Sequence, residues 1–122
     1  MQETVKLVDL INKADEIKES KKEYKLVFVN SLNGNIKIKK PSRDICMQAY
    51  EMENCDEYLI YESVVEPNLK DKKLHEAYKI SNPLDIVSEI FEAGEISNLG
   101  VTILKTAGYD EMSVKLVDDI KN

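Results

Sequence analysis

Residues 24–39 carry the pattern that most restricts the fold of this chain. Apolar side chains occupy every second position on both sides of a central Asn33-Gly34 pair. A period of two is typical of β-strands, whose successive side chains point to opposite faces. Asn and Gly tolerate the positive φ angles that a tight turn between twisted strands requires. The sequence therefore predicts a β-hairpin over about residues 24–39.

Most of the remaining chain follows the three- to four-residue apolar spacing of amphipathic helices. We predict an N-terminal helix over 1–20, a helical body over 42–107 and a C-terminal helix over 110–121. Since 122 residues are enough for one hydrophobic core but not for two, a single domain over 1–122 is expected. The predicted fold class is α+β and mostly helical, with the hairpin packed on a bundle of about five or six helices.

Capping residues predict where the helices of this body begin. Ser42 can cap the first of them, and Asn54 with Glu57 three residues later resembles a capping box for the next. That second helix would run through Val65. The run Tyr58–Tyr61 also has high strand propensity because of its aromatic and aliphatic side chains, so helix and strand both remain open over residues 58–65.

Asn82-Pro83 predicts a further helix start, with Asn as the cap and Pro in the first turn. Gly94 is placed to end that helix and Gly108 to end the one after it. Gly100 lies inside the latter helix, where glycine costs up to about 1 kcal/mol relative to alanine.

Charge is unevenly distributed along the chain. The net charge of −6 argues against a general nucleic-acid or anionic-membrane binder, because such proteins neutralise phosphates with excess Lys and Arg. Between Lys18 and Arg43, however, eight basic residues face two acidic ones, a local charge of +6. The hairpin is thus a candidate basic handle for an acidic partner or for another copy, although lysines also protect hairpin edges from aggregation. Its candidate partner-binding residues are Lys37, Lys39, Lys40 and Arg43.

The predicted C-terminal helix is a second candidate binding element. Its apolar face includes Leu116, Val117 and Ile120. Such a helix can dock on its own domain or lie in the groove of a partner, and the sequence leaves both open.

Residues for catalysis and metal binding are sparse. The sole histidine, His75, and the cysteines Cys46 and Cys55 lack the close paired spacings of a zinc site, and no phosphate-binding glycine motif is present. We therefore expect no enzyme, no metal and no cofactor, with a cysteine–histidine site as a minor alternative. Without a signal-peptide pattern or a long apolar run, a cytoplasmic protein with reduced thiols is expected.

Turn residues such as Pro and Gly, together with the apolar residues between them, carry a family resemblance. The pattern comprises the segments Val64–Asp71, Asn82–Val87 and Ile90–Glu95, followed by Leu99 and Ala107–Asp110. This pattern resembles the XkdN-like tail assembly chaperones of phages and prophages, over about seventy residues from the second hairpin strand onward.

The resemblance implies a non-enzymatic chaperone that binds the tape measure protein and recruits tail tube subunits. Such a protein would act in the bacterial host cytoplasm and be absent from the mature virion. Self-association is a separate expectation, which rests on the basic hairpin meeting the acidic face of another copy. The client surface of the chaperone would be a groove between helices 82–93 and 95–106, or the terminal helix. The alternative is a small acidic regulatory or inhibitor protein that mimics nucleic-acid charge, against which the basic hairpin argues.

Overall fold

The structure is a computed structural model that describes residues 4–110, 112–114 and 116. Seven α-helices and one antiparallel three-stranded sheet make up the described part, in agreement with the predicted mostly helical α+β class. In chain order the elements are α1 (Leu7–Asn12), α2 (Ala14–Ser20), β1 (Tyr24–Val29), β2 (Gly34–Lys39), α3 (Arg43–Tyr50), α4 (Cys55–Ser63), β3 (Val64–Glu66), α5 (Lys72–Ala77), α6 (Asp85–Ile90) and α7 (Ala93–Thr106).

The predicted hairpin is confirmed, but its turn is longer than an Asn-Gly pair. A 3-10 turn over Asn30–Leu32 follows β1, and Asn33 adopts the left-handed conformation with φ 49°. Gly34 is already the first residue of β2, paired with Val29. Asn33 alone therefore supplies the positive φ angle, which asparagine tolerates better than most residues.

One face of the sheet forms the hydrophobic core. Because side chains alternate along each strand, Val29, Ile36 and Ile38 point to the helices and are at most 3% exposed. They pack with apolar residues of α4, α6 and α7, of the loop before α5 and of the link between α6 and α7: Ile60, Leu69, Ile86, Val87, Phe91, Leu99 and Ile103.

Strand β3 differs from the sequence prediction, which extended α4 through Val65. The helix ends at Ser63, and Val64–Glu66 pair with β2, placing β2 in the centre of the order β1-β2-β3. Two consecutive β-branched valines favour extended backbone, and the apolar surface beside β2 provides their partner. Of the residues left open between helix and strand, 58–63 are helical and 64–65 belong to β3.

The predicted N-terminal helix is also different in detail. It is broken at Lys13 into α1 and α2, and none of the residues in these two helices is buried. We call residues 4–20 the arm. Lys40 fixes its C-terminal end, because its Nζ donates to the carbonyl of Ser20 at 2.7 Å and lies 3.8 Å from Glu23.

Helix α4 begins directly after Asn54 as predicted, but one predicted cap and two predicted helix boundaries are corrected. The Asn54 side chain makes no capping hydrogen bond, whereas Ser42 does, accepting from the amide of Ile45 at 3.2 Å. Asn82 accepts from Leu84 in a turn ahead of α6, which begins only at Asp85. Gly94 lies inside α7 rather than ending α6. Gly108, with φ 91°, follows α7 as predicted.

The predicted C-terminal helix over 110–121 lies largely outside the described residues. Residues 112–114, which are described, form a turn and bend. The side chain of Asp110 accepts a hydrogen bond from the amide of Met112 at 2.6 Å.

A carboxylate connects the hairpin turn to the start of α7. Glu95 accepts from the amide and the hydroxyl of Ser31, at 3.0 and 2.7 Å, and from the amide of Glu92 at 3.0 Å. The Ser31 hydroxyl is the largest cause of the lowered pKa of Glu95, followed by these two amides. A contact across 64 positions of sequence therefore orients the hairpin on the helices.

Gly100 is buried where α7 meets α4. A Cβ atom there would overlap the carboxylate of Asp56, lying 2.8 Å from its Cγ and 3.3 Å from its Cβ. Asp56 is half-buried, and burial raises the pKa of its carboxyl, with a smaller contribution from Glu57. The helix-weakening glycine thus permits close approach of the two helices.

We expect Gly100→Ala to lower the free energy of unfolding by about 1 kcal/mol, since overpacking outweighs the gain in helix propensity. In an Asp56→Ala background the same change should be neutral or stabilising. Urea denaturation of the four proteins measures the coupling. Equal effects of Gly100→Ala in both backgrounds would show that the carboxylate is not what limits the space.

Candidate functional site

An apolar cleft opens between α3, α4 and the end of α7. It has a volume of about 310 Å³. Its lining is almost entirely apolar and comprises Cys46, Met47, Ala49, Tyr50, Cys55, Leu59, Leu104 and Tyr109. Ala49 and Leu59 form a buried floor, whereas Tyr50 is 87% and Met47 49% exposed at the rim. Flexible methionine and broad tyrosine side chains around an apolar floor are suited to binding apolar side chains of a partner.

Both cysteines line this cleft, and both are free thiols. Burial raises the pKa of the Cys46 thiol, while a hydrogen bond with Tyr109 and the charge of Arg43 act in the opposite direction. Cys46 is 6% exposed and Cys55 is half-buried. The two thiols therefore lie at different depths in the same cleft and differ in their accessibility to solvent.

Iodoacetamide at pH 8 should modify Cys55 at least several-fold faster than Cys46, because alkylation requires an accessible thiolate. Peptide mass spectrometry over a time course measures both rates in one sample. Denaturation in urea should remove the difference, which provides the control. Equal rates in the folded protein would contradict the cleft geometry.

Of the four predicted basic residues, Arg43 lies beside the cleft. It lines a shallow depression with Pro41, Ala107 and Gly108 that shares Tyr109 with the cleft. Lys40 borders the next depression, but its side chain is only 21% exposed and is engaged with the arm. Beside the cleft, Arg43 is therefore exposed, whereas Lys40 is held by its contacts with the arm.

Lys37 and Lys39 lie elsewhere, on the sheet face that points away from the helices. They stand opposite Leu26 and Tyr24 in the β1–β2 register, and Lys37 is also 3.4 Å from Glu66. We call Tyr24, Leu26, Phe28, Asn35, Lys37 and Lys39 the outer sheet face. Because β2 is central, these two lysines do not protect a sheet edge, and the exposed edge strand β1 carries only Lys25. The edge-protection explanation is therefore wrong for Lys37 and Lys39.

The predicted C-terminal site residues are only partly described. Leu116 is 88% exposed. Val117 and Ile120 lie outside the described residues.

The structure does not bring His75 to either cysteine. His75 Nε2 lies 2.6 Å from the carbonyl oxygen of Leu69, and its ring is near Tyr61. Within the described residues, no three His, Cys, Asp or Glu side chains are grouped so that they could hold a metal ion. No helix in that same part has the length and apolarity needed to cross a bilayer.

Sequence reasoning missed the cleft, although it noted both cysteines. The lining residues come from α3, α4, α7 and the segment after α7, which are far apart in the sequence, so no local pattern reveals their proximity. One signal was available: Met47 and Tyr50 are large residues in a short helix whose buried face is already supplied by Cys46 and Ala49.

Comparisons with known proteins identify the fold and the family. Comparison with curated proteins gave no match. The chain resembles the crystal structure of the protein YqbN with a TM-score of 0.57 and 22% identity, over 73% of this chain and 87% of that chain. A family model described as phage XkdN-like tail assembly chaperone protein matches residues 25–121. The chain therefore belongs to the family of XkdN-like phage tail assembly chaperones.

Proposed function

We propose that this chaperone holds the tape measure protein through the apolar cleft and recruits tail tube subunits around it. It would act without catalysis in the host cytoplasm and leave before the virion is complete. The family match supports the chaperone role, and the observation that carries the site is the apolar cleft with its exposed Met47 and Tyr50 rim.

The cleft suits one face of an amphipathic helix. A helical client would insert apolar side chains over Leu59 and Ala49, and the rim residues Met47 and Tyr50 would cover the apolar side chains that stay outside the cleft. The flexible methionine side chain adapts to different partners, and tyrosine offers a broad contact at low entropic cost; a chaperone needs both when successive segments of a long client differ in sequence. Arg43 next to the cleft would pair with acidic residues on the client's polar face.

Co-expression with the tape measure protein tests this proposal. The double variant Met47→Glu/Tyr50→Glu changes exposed positions, so the chaperone should remain folded while the soluble fraction of the client falls several-fold. Val101→Glu is the matched control, because Val101 is 52% exposed on α7 and does not line the cleft. It should leave client solubility unchanged.

A second readout uses the thiols. If a client helix occupies the cleft, purified complex should protect Cys55 from iodoacetamide relative to free chaperone. A client that is solubilised equally by wild type and by the cleft double variant, with no thiol protection, would refute the cleft as the binding site.

A further inference from the structure

The arm and the outer sheet face are two apolar surfaces that the described part of the chain leaves uncovered. In the arm, six large apolar side chains are 39% exposed or more: Val5, Leu7, Val8, Leu10, Ile11 and Ile17. On the outer sheet face, Tyr24, Leu26 and Phe28 are 60%, 66% and 57% exposed. The arm precedes residues 25–121, so the family match does not account for it.

The arm does not cover its own sheet. Lys40 fixes the last residue of α2 at the corner where the arm meets β1, through Ser20 and Glu23. The three residues between α2 and β1 are further constrained by the ion pair of Lys25 with Glu23, at 3.2 Å. With the corner held in this way, the apolar sides of both surfaces stay open to solvent.

We propose that the arm of one copy packs on the outer sheet face of a second copy, and the second arm on the first sheet, in a two-fold symmetric pair. Each chain carries one arm and one outer sheet face, so reciprocal exchange leaves neither uncovered, as an isologous interface requires. The proposal concerns self-association and does not depend on client binding in the cleft.

Dimensions and area agree with this pairing. From Leu7 to Ser20 the arm spans about 20 Å at helical rise, which exceeds the about 14 Å from Tyr24 to Phe28 along a strand. The nine apolar side chains are 39–75% exposed, which corresponds to roughly 100 Å² each at the usual size of such residues. Two reciprocal contacts therefore cover up to about 1,800 Å², within the range of stable protein interfaces.

Charge is complementary as well. Helix α2 carries three carboxylates, Asp15, Glu16 and Glu19, against the single cation Lys18. The outer sheet face carries Lys37 and Lys39; Lys37 is already paired with Glu66 of β3 at 3.4 Å, whereas Lys39 is exposed and has no ion pair among the described residues, so it is the cation that faces the arm of a second copy. Ion pairs at the rim of an apolar contact set the register of docking more than its strength.

Sedimentation equilibrium and light scattering of the full chain test the proposal. Wild type should have twice the 14.0 kDa chain mass at tens of micromolar. The arm variant Leu10→Glu/Ile11→Glu and the sheet variant Leu26→Glu/Phe28→Glu should each be monomeric, with unchanged circular dichroism since all four positions are exposed. Val101→Glu, which lies in neither surface, should remain dimeric.

Mixing the two variants identifies the contact. The intact arm of the sheet variant can dock on the intact sheet of the arm variant, so the mixture should form a heterodimer held by one contact, weaker than wild type by at least tenfold in Kd. A monomeric wild type would overturn the proposal. So would an arm variant or a sheet variant that is still dimeric on its own, or a mixture of the two that forms no heterodimer. A monomeric wild type that binds a client through the outer sheet face would assign that face to the client instead.

Discussion

Ile60→Ala should lower the free energy of unfolding by about 2–5 kcal/mol, the usual cost of truncating a fully buried isoleucine. Ile60 is 0% exposed in the middle of α4, where it joins the core formed by the sheet and α7. The surrounding residues come from several elements and cannot all collapse into the cavity. Because a domain of this size is stable by only about 5–15 kcal/mol, the denaturation midpoint should fall markedly.

Urea denaturation followed by circular dichroism measures this change. The matched control is Val101→Ala, which removes methyl groups from a residue that is 52% exposed on α7, and it should change stability by less than about 0.5 kcal/mol. Similar effects of the two substitutions would mean that α4 does not pack on the sheet as described here.

Neighbouring residues of α4 connect this core to the cleft. Ile60 faces the core, whereas Leu59, which is 1% exposed, forms part of the cleft floor. A helix that shifts to fill the space left by Ile60→Ala therefore also displaces the floor. We infer that the core keeps the cleft in shape, which is why cleft variants are best made at the exposed rim.

The residues behind the family resemblance explain how much of the fold could be predicted. Leu69, Ile86, Phe91 and Leu99 are all at most 4% exposed and belong to the core. The residues that carry the resemblance are thus core positions of this chain and the turns between them, and the resemblance correctly predicted the family. The hairpin was predictable for a related reason, since alternation and turn residues are local signals.

The parts that could not be predicted depend on contacts distant in sequence. Three-residue β3 is too short for a periodic pattern and exists because β2 offers it a pairing edge. The arm has the periodicity of a core helix, yet periodicity states only which side is apolar and not what covers it. The surroundings of Lys37 and Lys39 could not be predicted either. Only the strand register shows that they lie opposite Leu26 and Tyr24 on the outer sheet face.

Unlike Ile60→Ala, the substitution Ser63→Ala should stabilise the protein and raise the free energy of unfolding by about 1 kcal/mol. Ser63 is 0% exposed at the end of α4, and its hydroxyl has no hydrogen-bond partner among the described residues. A buried hydroxyl without a partner costs about 1–3 kcal/mol of desolvation, and alanine removes it while leaving only a small void.

The matched control makes the same chemical change at a serine whose hydroxyl is used. Ser42 caps α3 by accepting from the amide of Ile45, so Ser42→Ala should destabilise by about 1 kcal/mol. Urea denaturation of both variants beside wild type should therefore give shifts of opposite direction. If Ser63→Ala destabilises as Ser42→Ala does, its hydroxyl has a partner in solution, and α4 must end differently where it passes into β3.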